Sequence, residues 1–187
     1  MKKRALKLGA FVLGATLAAG LGMAQNTGTA ERIQQGGAGQ SNLVREVRHE
    51  LVLQPYYGVF DNLSFRVDGS AVTLMGQVTN PVLKDDAGKA VKRIEGVTSV
   101  NNQIEVLPLS PMDQQTRLAV FRSIYSSPGF EKYAYQAVPP IHIIVKNGHV
   151  SLEGVVGNQM DKTLAGVRAN TVPGIFSVDN HLRVENQ

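Results

Sequence analysis

The chain contains no cysteine, so it can form neither a disulfide nor a thiolate metal site. The same absence excludes a lipid attached to a mature N-terminal cysteine. The sequence also lacks a G-x-S-x-G elbow, a G-x-G-x-x-G loop, a Walker A motif and an evident carboxylate pair. Nucleophilic catalysis, nucleotide binding and glycoside hydrolysis are therefore without their usual signatures. No apolar run reaches the ~20 residues of a spanning helix. An excess of charge is missing too, once the N-terminus is set aside. The chain has 19 basic and 15 acidic residues, and the first 24 hold four basic and none acidic, leaving 15 of each. A near-neutral remainder offers no general field for nucleic acid.

What is present begins with a targeting pattern. Lys2, Lys3, Arg4 and Lys7 precede an apolar run from Leu8 to Leu21, and Gly22-Met23-Ala24 supplies small residues. This reads as a cleaved secretory signal peptide over residues 1 to 24. A membrane anchor is the competing reading, and the run is short and rich in Gly and Ala for one. Residues 25 to 40 are mostly Gly, Gln, Thr and Ala. They are expected to form a flexible tether, because such a composition cannot offset ordering entropy by burial. An exported chain without disulfides must rest on its core, and the remainder is long enough to build one.

The remainder is an internal repeat. Residues 63 to 106 recur at 141 to 184 with an offset of 78, identical at 14 of 44 positions. Among the matching pairs are Val72/Val150, Leu74/Leu152, Gly76/Gly154, Asn80/Asn158, Gly88/Gly166, Gly96/Gly174 and Asn102/Asn180. Two units follow, 41 to 109 and 110 to 187, joined by the short, stiff segment Leu107-Pro108-Leu109-Ser110-Pro111.

Each unit reads as helix, hairpin, helix, strand. Leu43, Val44, Val47 and Leu51 form a helical stripe after Ser41 as cap. Leu63, Phe65 and Val67, and then Val72, Leu74 and Val78, alternate as strands with one buried face. The two-residue turns Gly69-Ser70 and Asn147-Gly148 fit types II′ and I′. Leu83, Ala87, Ala90, Val91 and Ile94 line the second helix, and Gly96 is placed for a left-handed cap. Ser110, Pro111 and Asp113 give the second unit's opening helix a cap, a first-turn proline and a capping-box spacing. Leu118, Phe121, Ile124 and Tyr125 are its expected apolar side.

The segments VTLMGQV (72 to 78) with IEGVTSVNNQIEV (94 to 106), and VSLEGVV (150 to 156) with VPGIFSVDNHLRV (172 to 184), resemble the BON domain. That family is named for bacterial osmotically induced and nodulation proteins. Its pattern is V-x-L-x-G-x-V, a helix, then G-V-x-x-V-x-N ahead of a final strand. Both copies fit, with Ile175 replacing Val in the second. The resemblance implies an α+β fold of two tandem αββαβ units, each with two helices on one face of a small three-stranded mixed sheet. It implies an exported or envelope-associated protein, periplasmic or secreted, without cofactor or catalytic residues. Such a protein would recognise a phospholipid surface or an envelope protein, or act as a chaperone-like or structural stress protein.

Candidate interaction residues lie where the copies differ. Lys84, Lys89, Lys92 and Arg93 cluster on the first unit's second helix. They suit anionic headgroups, or a solvated face partly neutralised by Asp85, Asp86 and Glu95. Phe176, opposite Thr98 in the other copy, is placed to insert into a membrane or partner, or to pack on the neighbouring unit. His142, His149 and His181 fall on the second unit's outer sheet face, too far apart for one metal. His142 is expected to pair with Glu153 across the hairpin. Tyr56, Tyr57, Phe60, Phe130, Tyr133 and Tyr135 make aromatic linkers suited to covering the core ends or the seam, with a binding patch as the alternative.

Overall fold

The computed structural model describes residues 27–136 and 138–185, with side-chain surroundings from Gly39 onward. The expected signal peptide lies outside the described residues. The first unit contains α1 (Thr27–Val52), β1 (Asn62–Asp68), β2 (Ala71–Val78), α2 (Pro81–Lys92), β3 (Ser99–Asn102) and β4 (Glu105–Val106). The second contains α3 (Pro111–Tyr125), α4 (Glu131–Ala134), β5 (Ile141–Lys146), β6 (His149–Val156), α5 (Gln159–Asn170), β7 (Ser177–Asn180) and β8 (Arg183–Val184). In each unit the hairpin is antiparallel, and the last strand returns parallel to the hairpin's second strand.

Helix α1 is already formed at Thr27, so helix replaces the expected tether over the described part of 25 to 40, and Ser41 lies inside the helix instead of capping it. Ala30, Glu31, Arg32, Gln34 and Gln35 are good helix formers. Extending an existing helix also avoids the cost of nucleation.

The repeated polar residues and glycines have structural reasons. Asn80 caps α2 by accepting the Val82 N–H at 3.0 Å, and Asn158 caps α5 by accepting the Asp161 N–H at 2.8 Å. Asn102 donates from Nδ2 to the Lys84 carbonyl at 2.8 Å and accepts the Ile104 N–H, tying α2 to the point where β3 gives way to β4. Asn180 does the same with Lys162 and Leu182. The amide passes so close to α2 and α5 that a Cβ on Gly88 or Gly166 would stand 2.8 Å from it. The final strand of each unit is thus interrupted: β3 and β4 both pair with β2, and β7 and β8 both pair with β6. Gly76 and Gly154 have φ of +111° and +116°, and a side chain there would collide with the carbonyls of Asn62 and Pro140.

Each unit buries its own core. Val47, Leu51, Val72, Leu74, Leu83, Val91 and Ile104 build the first, and Val120, Ile124, Phe130, Ile141, Ile143, Leu152 and Leu182 the second. Matching the buried pairs Val47/Val120 and Leu51/Ile124 sets the opening helices at an offset of 73, not 78. The extra residues before β5 hold α4. Its Tyr133 donates to Asp161 at 2.6 Å and accepts the Gly157 N–H, and Lys132 pairs with Asp161 at 2.7 Å. Burial alone would raise the Asp161 pKa, but the bonds from Lys132 and Tyr133 outweigh it and hold the carboxyl below its ordinary value. On α3 the buried stripe is Asp113, Arg117, Val120, Ile124 and Tyr125, while Leu118 is 37% exposed. The helix is turned so that its first-turn carboxylate faces the sheet.

The units share a seam. After α1, the Val59 carbonyl accepts the Ile143 N–H at 2.8 Å, so the chain of the first unit lies along the edge strand β5 of the second. Phe60 meets Phe121 edge-on, with centroids 6.1 Å apart. Beneath them the Tyr57 ring stacks on His142 at 5.5 Å and 21°. His142 Nδ1 lies 3.3 Å from the Gly58 carbonyl, and its Nε2 lies 3.4 Å from the Tyr57 hydroxyl. A carbonyl only accepts, so Nδ1 carries the hydrogen and neutral Nε2 accepts from Tyr57. The expected His142–Glu153 pair is in register across the hairpin but is not the contact made. The first unit draws His142 into the seam, and Glu153 binds His181 at 2.8 Å. A Lys146–Glu105 pair at 2.6 Å closes the far side.

Two consequences are measurable. Gly76→Ala and Gly154→Ala should each destabilise by about 2–4 kcal/mol in urea unfolding, through collision and a disfavoured φ. Gly96→Ala, where a Cβ meets no atom, should cost about 1 kcal/mol. The second concerns pH. Burial lowers the His142 pKa beneath its ordinary 6.5, against the raising effects of Gly58, Asp61 and Glu153. The unfolded chain then binds the proton more readily, so stability falls as pH drops below that value. His142→Phe keeps a stacking ring without titrating, and should shrink the difference in urea midpoint between about pH 7.5 and about pH 5.5.

Candidate functional site

The second unit carries exposed apolar side chains, Leu109 and Met112 at the start of α3 and Phe176 over the β5–β6 turn. Ser110 caps that helix by accepting the Asp113 N–H at 3.1 Å. The capping box is not reciprocal, because the Asp113 carboxylate turns to the β5–β6 turn. There it accepts the N–H groups of Asn147 and Gly148, each at 2.9 Å. Both residues have positive φ, 52° and 79°, as the type I′ turn requires. Asp113 is 2% exposed, so the carboxylate that fixes this end is withdrawn from its surface.

Phe176 rests on the same turn. Its N–H donates to the Gly148 carbonyl at 2.9 Å, and its ring lies so close over Gly148 that a Cβ there would sit 2.8 Å away. The ring tilts against His149, with centroids 5.7 Å apart. Phe176 is nevertheless 78% exposed and does not enter the seam. Met112, 71% exposed, is beside Asp113, and Leu109, 97% exposed, precedes the cap. In the first unit the equivalent end is polar: Thr98 takes the place of Phe176 and bonds the Ser70 carbonyl through both its N–H and its hydroxyl.

The basic residues of α2 belong to a different surface. Lys84 is half-buried, Lys89 pairs with Asp86 at 3.2 Å, and Lys92 and Arg93 are exposed. Arg93 borders an open cavity between α1 and α2 that also carries Glu46, Glu50 and Glu95, so acidic groups offset its charge. This end of α2 lies beside the β1–β2 turn, whereas the second unit meets the first at the Tyr57–Asp61 end. Arg93, beside the β1–β2 turn, and Phe176, over the β5–β6 turn, thus belong to different units. The meeting of the start of α3 with the β5–β6 turn was hidden in the sequence, because the Asp113 contacts that join them leave no local pattern.

The histidines do not converge. His142 is in the seam, His149 bonds Ser177 at 2.8 Å, and His181 bonds Glu153. Among the described residues no group of three His, Asp or Glu could hold a metal ion, and no helix is long and apolar enough to cross a membrane. Of the aromatic linkers, Phe130 and Tyr133 are core, Tyr57 and Phe60 cover the seam, and Tyr56 and Tyr135 are exposed. Burial raises the Tyr57 pKa to about 12, so it stays protonated.

Comparison with known proteins agrees with the repeat. The chain is 30% identical to osmotically-inducible protein Y of Escherichia coli (strain K12) over 126 residues, which cover 66% of this chain and 62% of that protein. Among solved structures it is similar to CdsD, a structural protein of the type III secretion system of Chlamydia trachomatis, at TM-score 0.31 and 14% identity, covering 77% of this chain and 92% of that one. A structure of the C-terminal domain of CdsD matches at TM-score 0.27 and 15% identity, covering 77% and 98%. The BON domain model matches residues 40–108 and 129–186, more than half of the chain and once in each unit. The chain belongs to the BON domain family, with two tandem copies of the domain.

Proposed function

We propose that this protein is an exported, non-catalytic binding protein of the cell envelope that docks on a phospholipid surface through the second unit. The observation that carries this reading is Phe176, an aromatic ring 78% exposed on a backbone held by Gly148. Exposed aromatic and aliphatic side chains on a rigid turn are suited to the boundary between headgroups and acyl chains. Leu109 and Met112 are further exposed apolar side chains of the second unit, at the start of α3, and the anchoring Asp113 is buried. The N-terminal basic and apolar pattern supports export. The likeness to an osmotically inducible protein supports a role in osmotic stress. The absence of catalytic motifs and the copying of scaffold positions support binding over chemistry.

Sedimentation with phosphatidylglycerol-containing vesicles tests this. Phe176→Ser should weaken pelleting by about tenfold, the scale expected for one large apolar side chain. Replacing Lys92 and Arg93 by Ala should change it less than twofold. Loss of pelleting with those replacements alone would move the surface to α2, and no pelleting of the unaltered protein at low salt would end the lipid reading.

A further inference from the structure

The groove between α1 and α2 is built from positions at which the two copies differ. In the second unit the corresponding helices are tied together. Ser123 Oγ on α3 donates to the Arg168 carbonyl on α5 at 2.8 Å and lies 3.3 Å from the Thr171 hydroxyl. At offsets of 73 for the opening helix and 78 for the repeat, Glu50, Ala90 and Arg93 take these three places in the first unit. A carboxylate replaces the bridging hydroxyl, and a methyl group replaces a long side chain. The bridge has no counterpart there, and an open groove of about 1040 Å³ stands between the helices, closed at one end by the β1–β2 turn.

Its lining is of two kinds. Leu43 and Ala90 are buried along the floor, and Ile94 is half-buried beside them. Glu46, Glu50 and Glu95 also line it, against Arg93. The counterparts of the three glutamates in the second unit are Ala119, Ser123 and Pro173, so this charge is particular to the first unit. Among the described residues none of the three makes an ion pair. Lys89 of α2 is paired with Asp86 and is not part of the lining. A cleft with apolar walls and an excess of one charge focuses its field and draws in the opposite sign. Three carboxylates against one guanidinium favour a cation.

We propose that this groove docks a basic amphipathic segment of a partner protein. An aliphatic side chain of that segment lies against Leu43, Ala90 and Ile94, and its Lys or Arg side chains reach Glu46, Glu50 and Glu95. Two helices with an apolar channel between them accept a third helix by its apolar face. A small polycation would meet the carboxylates but leave the apolar floor unused. An anionic headgroup would meet an excess of its own sign, so this surface is independent of the lipid docking above, which rests on Phe176 in the other unit.

A capped amphipathic peptide of Lys, Leu and Ala, added without lipid to the full chain, serves as the probe. Fluorescence anisotropy of the labelled peptide should show saturable binding at low ionic strength that weakens as sodium chloride is added. In ¹H–¹⁵N NMR the amides of Gly69, Ser70 and Gly96, which line the groove, should shift with the same midpoint. Replacing Glu46 and Glu50 together by Gln should weaken binding about fivefold, the scale of two solvent-facing ion pairs. Ala90→Arg, which brings in the second unit's residue, should weaken it about tenfold, and so should Ser in place of Leu in the peptide. No binding at low ionic strength overturns the site, as do amide shifts confined to the second unit. Binding unaltered by the two Gln replacements overturns it too, and so does equal binding of the Ser-containing peptide, since charge alone would then suffice. If the chain instead self-associates with shifts of these same amides, a second copy is the occupant and the basic partner is ruled out.

Discussion

Both units depend on one side-chain bridge, made by Asn102 in the first and Asn180 in the second. The amide group of each joins a helix carbonyl to the strand backbone where the last strand breaks. That break lets β3 and β4, or β7 and β8, both follow the hairpin's inner strand. The bridge needs a helix residue without a side chain beneath it, which Gly88 and Gly166 provide. Helix, strand break and glycine are therefore one constraint. It explains why two polar residues and two glycines were kept in copies that otherwise share few surface positions.

Around this common frame the units diverge at their opening helices. The second unit inserts α4, buries Arg117, and turns Asp113 onto the β5–β6 turn. A carboxylate receiving two backbone N–H groups is well satisfied while buried. By holding the turn it also sets the platform for Phe176. The first unit keeps a polar turn and an open, acid-lined space between its helices. One copy thus carries the exposed apolar features, and the other the acid-lined groove and its share of the seam.

Much of this frame was legible in the sequence because it follows local rules. Alternation in 72 to 78, two-residue turns, and Asn before a helix each report on their immediate neighbours. The site was less legible. The start of α3 is brought to the β5–β6 turn by a carboxylate–backbone contact that no periodicity reveals. The exposure of Phe176 could not be separated from packing at the seam until the path of residues 53 to 61 was known. His142 illustrates the same limit: strand register places it across from Glu153, but the partner it bonds comes from the other unit. The start of α1 differs from expectation because composition argued against burial, and a helix can extend without it.

The lie of residues 57 to 61 along β5 has a consequence for the free edge of the second sheet. Residues 141 to 145 are buried on both faces, unlike the alternating β1, and β5 is the outer strand of its sheet. Such a strand, if bare, is a template for another molecule's strand. The first unit lies along it, so the unit that adds little to the candidate site covers part of the other's edge. The two repeats, separate by sequence, thus share the cover of one strand edge.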